Sequence, residues 1–277
     1  MAAVSRARMG NLVSFMSANF VARQLGYRMT EGWSQGDEAT SRHFRPPATF
    51  RERFEAVVRD VAALGFRAMD VWTAHLSPRW ATPEHLVAAR DVLDHHGLSV
   101  PSIAGSFGAD RAEFDAACRV AEALGAPVLG GSTPLLSSDR EHVLASLRAG
   151  GLRLGLENHP ERTPDELRAK LGEPDDALGV TLDTGWFATH GYDAARAVRE
   201  LADVLVHVHL KDVLAAGAHD TCRYGAGVVP LSGVLAALRE VDYAGAISLE
   251  HEPETFDPTE DVAASKAWLE REMGVAA

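Results

Sequence analysis

Four ionisable residues, Glu157, Asp183, His209 and Glu250, each close a short apolar run. Three carboxylates and one imidazole suit a hard or borderline divalent cation: Mn²⁺ first, with Mg²⁺, Co²⁺ or Zn²⁺ as alternatives. Brought together without a cation, the carboxylates would repel and raise one another's pKa. A single His or Glu of this kind would say little, because a buried His is usually a satisfied core residue. Four in matching positions predict one shared metal ion.

The run Leu205-Val206-His207-Val208-His209-Leu210-Lys211-Asp212 shows how such groups are delivered. Read as a buried parallel strand, it packs its apolar residues and places His207 and His209 on one face. His207 then sits deeper, where core packing is the expected role. Lys211 and Asp212 stand at the exit. Lys211 is a candidate for the keto oxygen of a substrate or for a leaving group, with a salt bridge to Asp212 as its alternative. His159, two residues beyond Glu157 on the same face, is the candidate base that removes a proton from a metal-bound substrate; its alternative is a hydrogen bond to a neighbouring loop.

These runs need a frame that presents strand ends at one mouth. The first strand is expected at Leu12–Phe15, and Gly26 to Thr49 reads as a long polar loop. Thr49 with Glu52 resembles a capping box for a helix carrying Phe54, Val57, Val58, Val61 and Leu64 at helical spacing. Strands are then expected at Phe66–Trp72, Leu98–Ile103, from Pro127, and up to Glu157, Asp183, Lys211 and Glu250. Helices with Gly stops or Thr-Pro starts separate them. Alternation of strand and helix throughout the chain predicts one α/β domain over residues 1–277, a single (β/α)₈ barrel with its site at the C-terminal strand ends. A doubly wound open sheet is the runner-up, but no G-x-G-x-x-G loop follows the first strand.

The 277 residues match the size of one such barrel. No apolar run is long enough to span a membrane. Two cysteines, Cys118 and Cys222, are too few for a disulfide scaffold and fit a cytoplasmic setting. A formal net charge of −12 disfavours nucleic acid and anionic membrane as partners. It equally disfavours a nuclease, which would need a basic groove.

The segments Glu157-Asn158-His159, Asp183-Thr184-Gly185, His207 to Asp212 and Glu250-His251-Glu252 together resemble the xylose-isomerase-like TIM barrels, the sugar isomerase/epimerase superfamily. That resemblance implies a metal held by Glu157, Asp183, His209 and Glu250. The N-terminal segments Phe15 to Arg23, Gly32 to Asp37 and Asp70-Val71-Trp72-Thr73-Ala74-His75, with Gly217 to Gly225, are similar to catalytic subunits of C-glycoside deglycosidases. Those enzymes cleave 3-oxo glycosides by β-elimination and work with a smaller partner subunit. The resemblance thus implies a sugar or glycoside substrate, a smaller partner subunit and an oligomer. It places Asp70, Trp72 and His75 among substrate-binding positions. Trp33, Trp72 and Trp186 are candidates for stacking on a sugar or aglycone, His219 for holding a leaving group, and Glu252 for supporting the site. Two reactions share the first step, removal of a proton beside a polarised carbonyl. Elimination makes a lyase, the first expectation. Reprotonation makes an isomerase or epimerase, in which Glu157 and Glu250 themselves form the acid–base pair.

Overall fold

The computed structural model describes residues 9–274. Eight parallel strands close into a barrel: β1 (Val13–Met16), β2 (Met69–Trp72), β3 (Ser102–Ser106), β4 (Val128–Ser132), β5 (Arg153–Glu157), β6 (Leu178–Asp183), β7 (Leu205–Val213) and β9 (Ile247–Glu250). Each pairs with its neighbour, and the β6–β7, β7–β9 and β9–β1 pairings complete the ring. The two-residue β8 (Thr221–Cys222) folds back antiparallel on the end of β7.

The outer layer contains α1 (Trp33–Phe44), α2 (Pro47–Ala63), α3 (Pro83–His96), α4 (Arg111–Leu124), α5 (Leu135–Ser138), α6 (Arg140–Gly150), α7 (Pro164–Leu171), α8 (Thr184–Thr189), α9 (Ala194–Glu200), α10 (Leu231–Glu240) and α11 (Thr259–Met273). The helices turn one apolar stripe inward. In α2 the buried residues are Phe50, Phe54, Val57, Val58 and Val61, a helical periodicity. Among the described residues, no helix is long and apolar enough to cross a membrane.

Several boundaries differ from the sequence expectation for physical reasons. Much of the Gly26–Thr49 segment, read as a loop, is helical; α1 buries only Gly36, Thr40 and Phe44, so it carries little apolar pattern in the sequence. Helix α2 begins at Pro47, not after Thr49, with proline at its first position supplying a helix-ready φ. Strand β3 starts at Ser102 instead of Leu98, since Pro101 has no N–H for a ladder. Helix α8 was not anticipated; it springs directly from the end of β6, with Asp183 as its N-cap.

Close approach of the strands depends on small residues. A Cβ on Gly155 would lie 2.3 Å from Thr181 Oγ1 and 2.8 Å from Val206 Cγ2. Glycine there lets β5 and β6 pack beneath the mouth where Glu157 and Asp183 emerge.

Candidate active site

Strand register sets the site. Asp183 pairs with His209 across β6 and β7, and Lys211 pairs with Glu250 across β7 and β9. His207, His209 and Lys211 therefore climb one face of β7 from core to mouth. Single ligand atoms from Glu157, Asp183, His209 and Glu250 all lie within 4.8 Å of one another. His209 Nδ1 is 2.6 Å from Glu157 Oε1 and 3.3 Å from Glu250 Oε2.

Two side chains hold this register from outside the cluster. The Asn158 amide clamps the Asp183 backbone, donating to its carbonyl at 2.9 Å and accepting from its N–H at 2.8 Å. Thr184 Oγ1 does the same for Lys211, donating to its carbonyl at 2.7 Å and accepting from its N–H at 2.8 Å. The Lys211 stem passes over Gly185, where a Cβ would lie 2.7 Å from its Cγ and Cδ. Its ammonium reaches Glu250 Oε1 at 2.6 Å, Asp183 Oδ2 at 3.0 Å and Glu252 Oε2 at 3.2 Å. Lys211 thus pairs with three carboxylates of the site and not with Asp212. The buried Asp212 carboxylate instead accepts from the backbone N–H groups of Val213, Gly225, Gly227 and Val229, pinning the loop beyond β8.

The charges are strongly coupled. Burial opposes the Lys211 ammonium, but Asp183, Glu250 and Glu252 outweigh it and hold its pKa well above the ordinary value. Burial likewise opposes the charged form of His209, yet Glu157 and Glu250 raise it to about 10. Burial pushes the Glu250 carboxyl well up despite Lys211. Burial also works against the Glu157 carboxylate, but the His209 charge and hydrogen bond prevail and lower its pKa. Glu157 keeps 21% of its side chain accessible, against 6% for Glu250.

This donor set fits a divalent ion. Three carboxylates converge on one imidazole nitrogen, and the buried Asp183 Oδ2 and Glu250 Oε2 are met only by the cationic groups of the site, Lys211 at 3.0 Å and His209 at 3.3 Å. A second cluster, Asp70, His207 and His209, lies below. There Asp70 is already satisfied: it accepts from His207 Nε2 at 2.6 Å and from Ser14 Oγ at 2.5 Å.

The remaining candidates divide by depth. Trp186 stands at the mouth, its ring 4.0 Å from that of His159 and 5.0 Å from that of His219. His159 and His219 are both exposed. Glu252 reaches the site through Lys211. Asp70 and His75, expected to touch substrate, do not: Asp70 is fully buried on the inner face of β2, and His75 is packed against Ser17, Phe44 and Trp72. Alternation along a strand gives the face but not the depth, and the barrel interior shares a face with the mouth. Trp72 is almost covered, with Trp33 tilted over it at a centroid distance of 5.0 Å. Asn158 and Thr184 were missed as supports of the site, because side-chain clamps leave no periodic signal.

Comparison with known proteins places this geometry. No curated protein matches the chain. Among solved structures, a D-allulose 3-epimerase from Methylomonas sp. in complex with D-allulose superposes with a TM-score of 0.68 at 15% identity, covering 98% of this chain and 100% of that one. A 3-keto-D-glucoside 4-epimerase from E. coli gives 0.61 at 20% identity, covering 79% and 94%. A xylose isomerase domain protein from Planctomyces limnophilus gives 0.63 at 22% identity, covering 79% and 91%. These likenesses are likenesses of fold. The model of the xylose isomerase-like TIM barrel family matches residues 58–272, and the chain belongs to that family.

Proposed function

We propose that the protein is a divalent-metal-dependent sugar epimerase or isomerase that enolises a bound keto-sugar. The observation that carries this reading is the convergence of Glu157, Asp183, His209 and Glu250 on one point at the C-terminal strand ends. The names of the similar structures, a D-allulose 3-epimerase and a 3-keto-D-glucoside 4-epimerase, support it. The C-glycoside deglycosidase reading rests on sequence motifs alone and becomes an outcome of the test.

Bound by these four residues, a cation such as Mn²⁺ would polarise the sugar carbonyl and stabilise the charge that develops on it. The protein's own groups then move the proton. Glu157 has a lowered pKa and an accessible edge, so it is the base that takes the proton from the carbon beside the carbonyl. Glu250, whose proton affinity burial raises, is the group that hands a proton back to the carbon. Two carboxyls with opposed proton affinities, contributed by β5 and β9, can exchange a proton with one sugar carbon from two sides. Lys211 holds Glu250 and Asp183 in place through its ion pairs. His159, Trp186 and His219 form the wall of the mouth beside the reacting ring, with His159 the alternative base.

The test is incubation of the Mn²⁺-loaded enzyme with keto-sugars and 3-oxo glycosides in deuterated buffer. Deuterium on carbon in unfragmented sugar is the expected result, lost in Glu157→Gln. Release of an aglycone would instead establish elimination. Neither deuterium nor release across the panel would refute enolisation.

A further inference from the structure

A second opening lies on the same face of the barrel but excludes the four carboxylate and imidazole residues. It is a cavity of about 520 Å³ between α1 and the segments that follow β2 and β3. Its volume falls in the range of small-molecule sites, about 300–1,000 Å³. Trp33 supplies the open aromatic wall, with Trp72 and Phe107 buried behind the lining, and Asp37, Arg45 and Arg79 supply polar ones.

Three features mark it as a built site. Trp33 is 40% exposed although it packs on Trp72, so a large apolar ring face is left open at the cavity. The Asp37 carboxylate and the Arg45 guanidinium line the cavity and make no hydrogen bond or ion pair among the described residues. Asp37 is half-buried, and burial raises its pKa despite the nearby Arg79 charge, so it lacks donors that a ligand could provide. Aromatic faces edged with an acceptor and a fork of donors match a polyhydroxylated ring: C–H faces on the indole, hydroxyls on Asp37 and Arg45.

The barrel core fixes how the cavity meets the metal-ligand cluster. Asp70 on β2 touches His207 on β7, at 2.6 Å. Trp72 lies two residues above Asp70, and His209 lies two residues above His207. Both therefore stand one pleat repeat, about 6.8 Å, above the same contact. Trp72, which borders the cavity, is therefore level with His209 along the barrel axis and ties the height of the cavity to that of the cluster.

We propose that this cavity is a second subsite, which holds the sugar unit attached to the reacting keto-sugar. The substrate is then a two-unit keto-glycoside, not a free monosaccharide. This rests on the enolisation reading above for the chemistry of the first unit, while binding in the cavity can be measured without turnover.

The experiment has two arms. In the first, the Mn²⁺ enzyme is given cellobiose and maltose oxidised at C3 of the non-reducing ring, and 3-oxo-glucose, in deuterated buffer. The expected kcat/KM for exchange is at least tenfold higher for one of the disaccharides. In Trp33→Ala and Asp37→Ala that ratio falls to within about twofold of unity, through KM. In the second, unoxidised cellobiose and maltose are titrated against tryptophan fluorescence, and the saturable change is lost in Trp33→Ala. Equal kcat/KM for mono- and disaccharides would overturn the subsite and leave enolisation standing. Saturable binding through Trp33 with no exchange on any sugar would uphold the subsite and overturn enolisation. Absence of both signals would overturn both.

Discussion

Asp70 Oδ2 lies 2.6 Å from His207 Nε2 and 3.8 Å from His209 Nε2, so one buried carboxylate on β2 reaches both histidines of β7 across the barrel. His209 Nδ1 faces the carboxylate cluster, and its buried Nε2 has no hydrogen-bond partner. A proton on Nε2 leaves Nδ1 free as a ligand, and the Asp70 charge 3.8 Å away favours this tautomer through space. Asp70→Asn keeps the shape and removes the charge. The expected outcome is a 10- to 100-fold loss of Mn²⁺ affinity, the usual effect of altering a ligand's supporting partner. Calorimetric titration with Mn²⁺ measures it, and an unchanged Kd would separate Asp70 from the metal site.

Lys211 places one ammonium among Asp183, Glu250 and Glu252 in a site that is almost closed to water. Removing one partner from a buried charge network costs about 3–5 kcal/mol, because the remaining charges lose their compensation. Lys211→Met should therefore lower the thermal midpoint of the metal-free protein. Bound Mn²⁺ would replace the lost positive charge, so the rise in Tm on adding saturating Mn²⁺ should be larger in the variant than in the wild type. Scanning calorimetry with and without Mn²⁺ checks this; equal increments would contradict it.

The convergence of four candidate ligands was legible in the sequence because each ends an apolar run, and such runs are what buried parallel strands look like. Glu157, Asp183, His209 and Glu250 could be named on that ground. Depth was not legible. Asp70 alternates correctly with Trp72 but lies inside the barrel, where Ser14 and His207 from distant segments satisfy it. Helix α1 was not legible either, since its inward face offers Gly36 and Thr40 in place of large apolar residues. Gly36 is needed there: a Cβ would lie 2.5 Å from the Val21 carbonyl oxygen. Clamps such as Asn158 on Asp183 join residues 25 apart in sequence and carry no local pattern.

Metal removal gives a prediction that spans activity and stability. Exhaustive treatment with a chelator should abolish deuterium exchange, and Mn²⁺ should restore it. A ligand that binds only the folded state raises stability by about 2.7 kcal/mol at a hundredfold excess over Kd. The chelated protein should therefore unfold at a lower temperature, and Asp183→Asn should lose most of the Mn²⁺ response. Exchange that persists in a protein shown by elemental analysis to hold no metal would exclude a metal-dependent reaction.

His75 gives the pH dependence of stability. Its ring is buried beside Trp72 and Phe44, with Nδ1 3.2 Å from Ser17 Oγ. Burial pushes its pKa down to about 3, whereas an unfolded chain returns it to about 6.5. Below pH 6.5 the unfolded state thus binds a proton that the folded state refuses, and stability falls as pH falls. The contribution is complete above pH 6.5. It declines by about 1.4 kcal/mol per pH unit until the folded pKa near 3 is reached. Urea unfolding between pH 7 and pH 4 should show this slope added to that of the carboxylates. His75→Gln has no titrating ring, so its curve should be flatter by about one proton over the same range, even if it starts lower at pH 7. Parallel curves for the two proteins would show that the His75 ring accepts its proton in the fold.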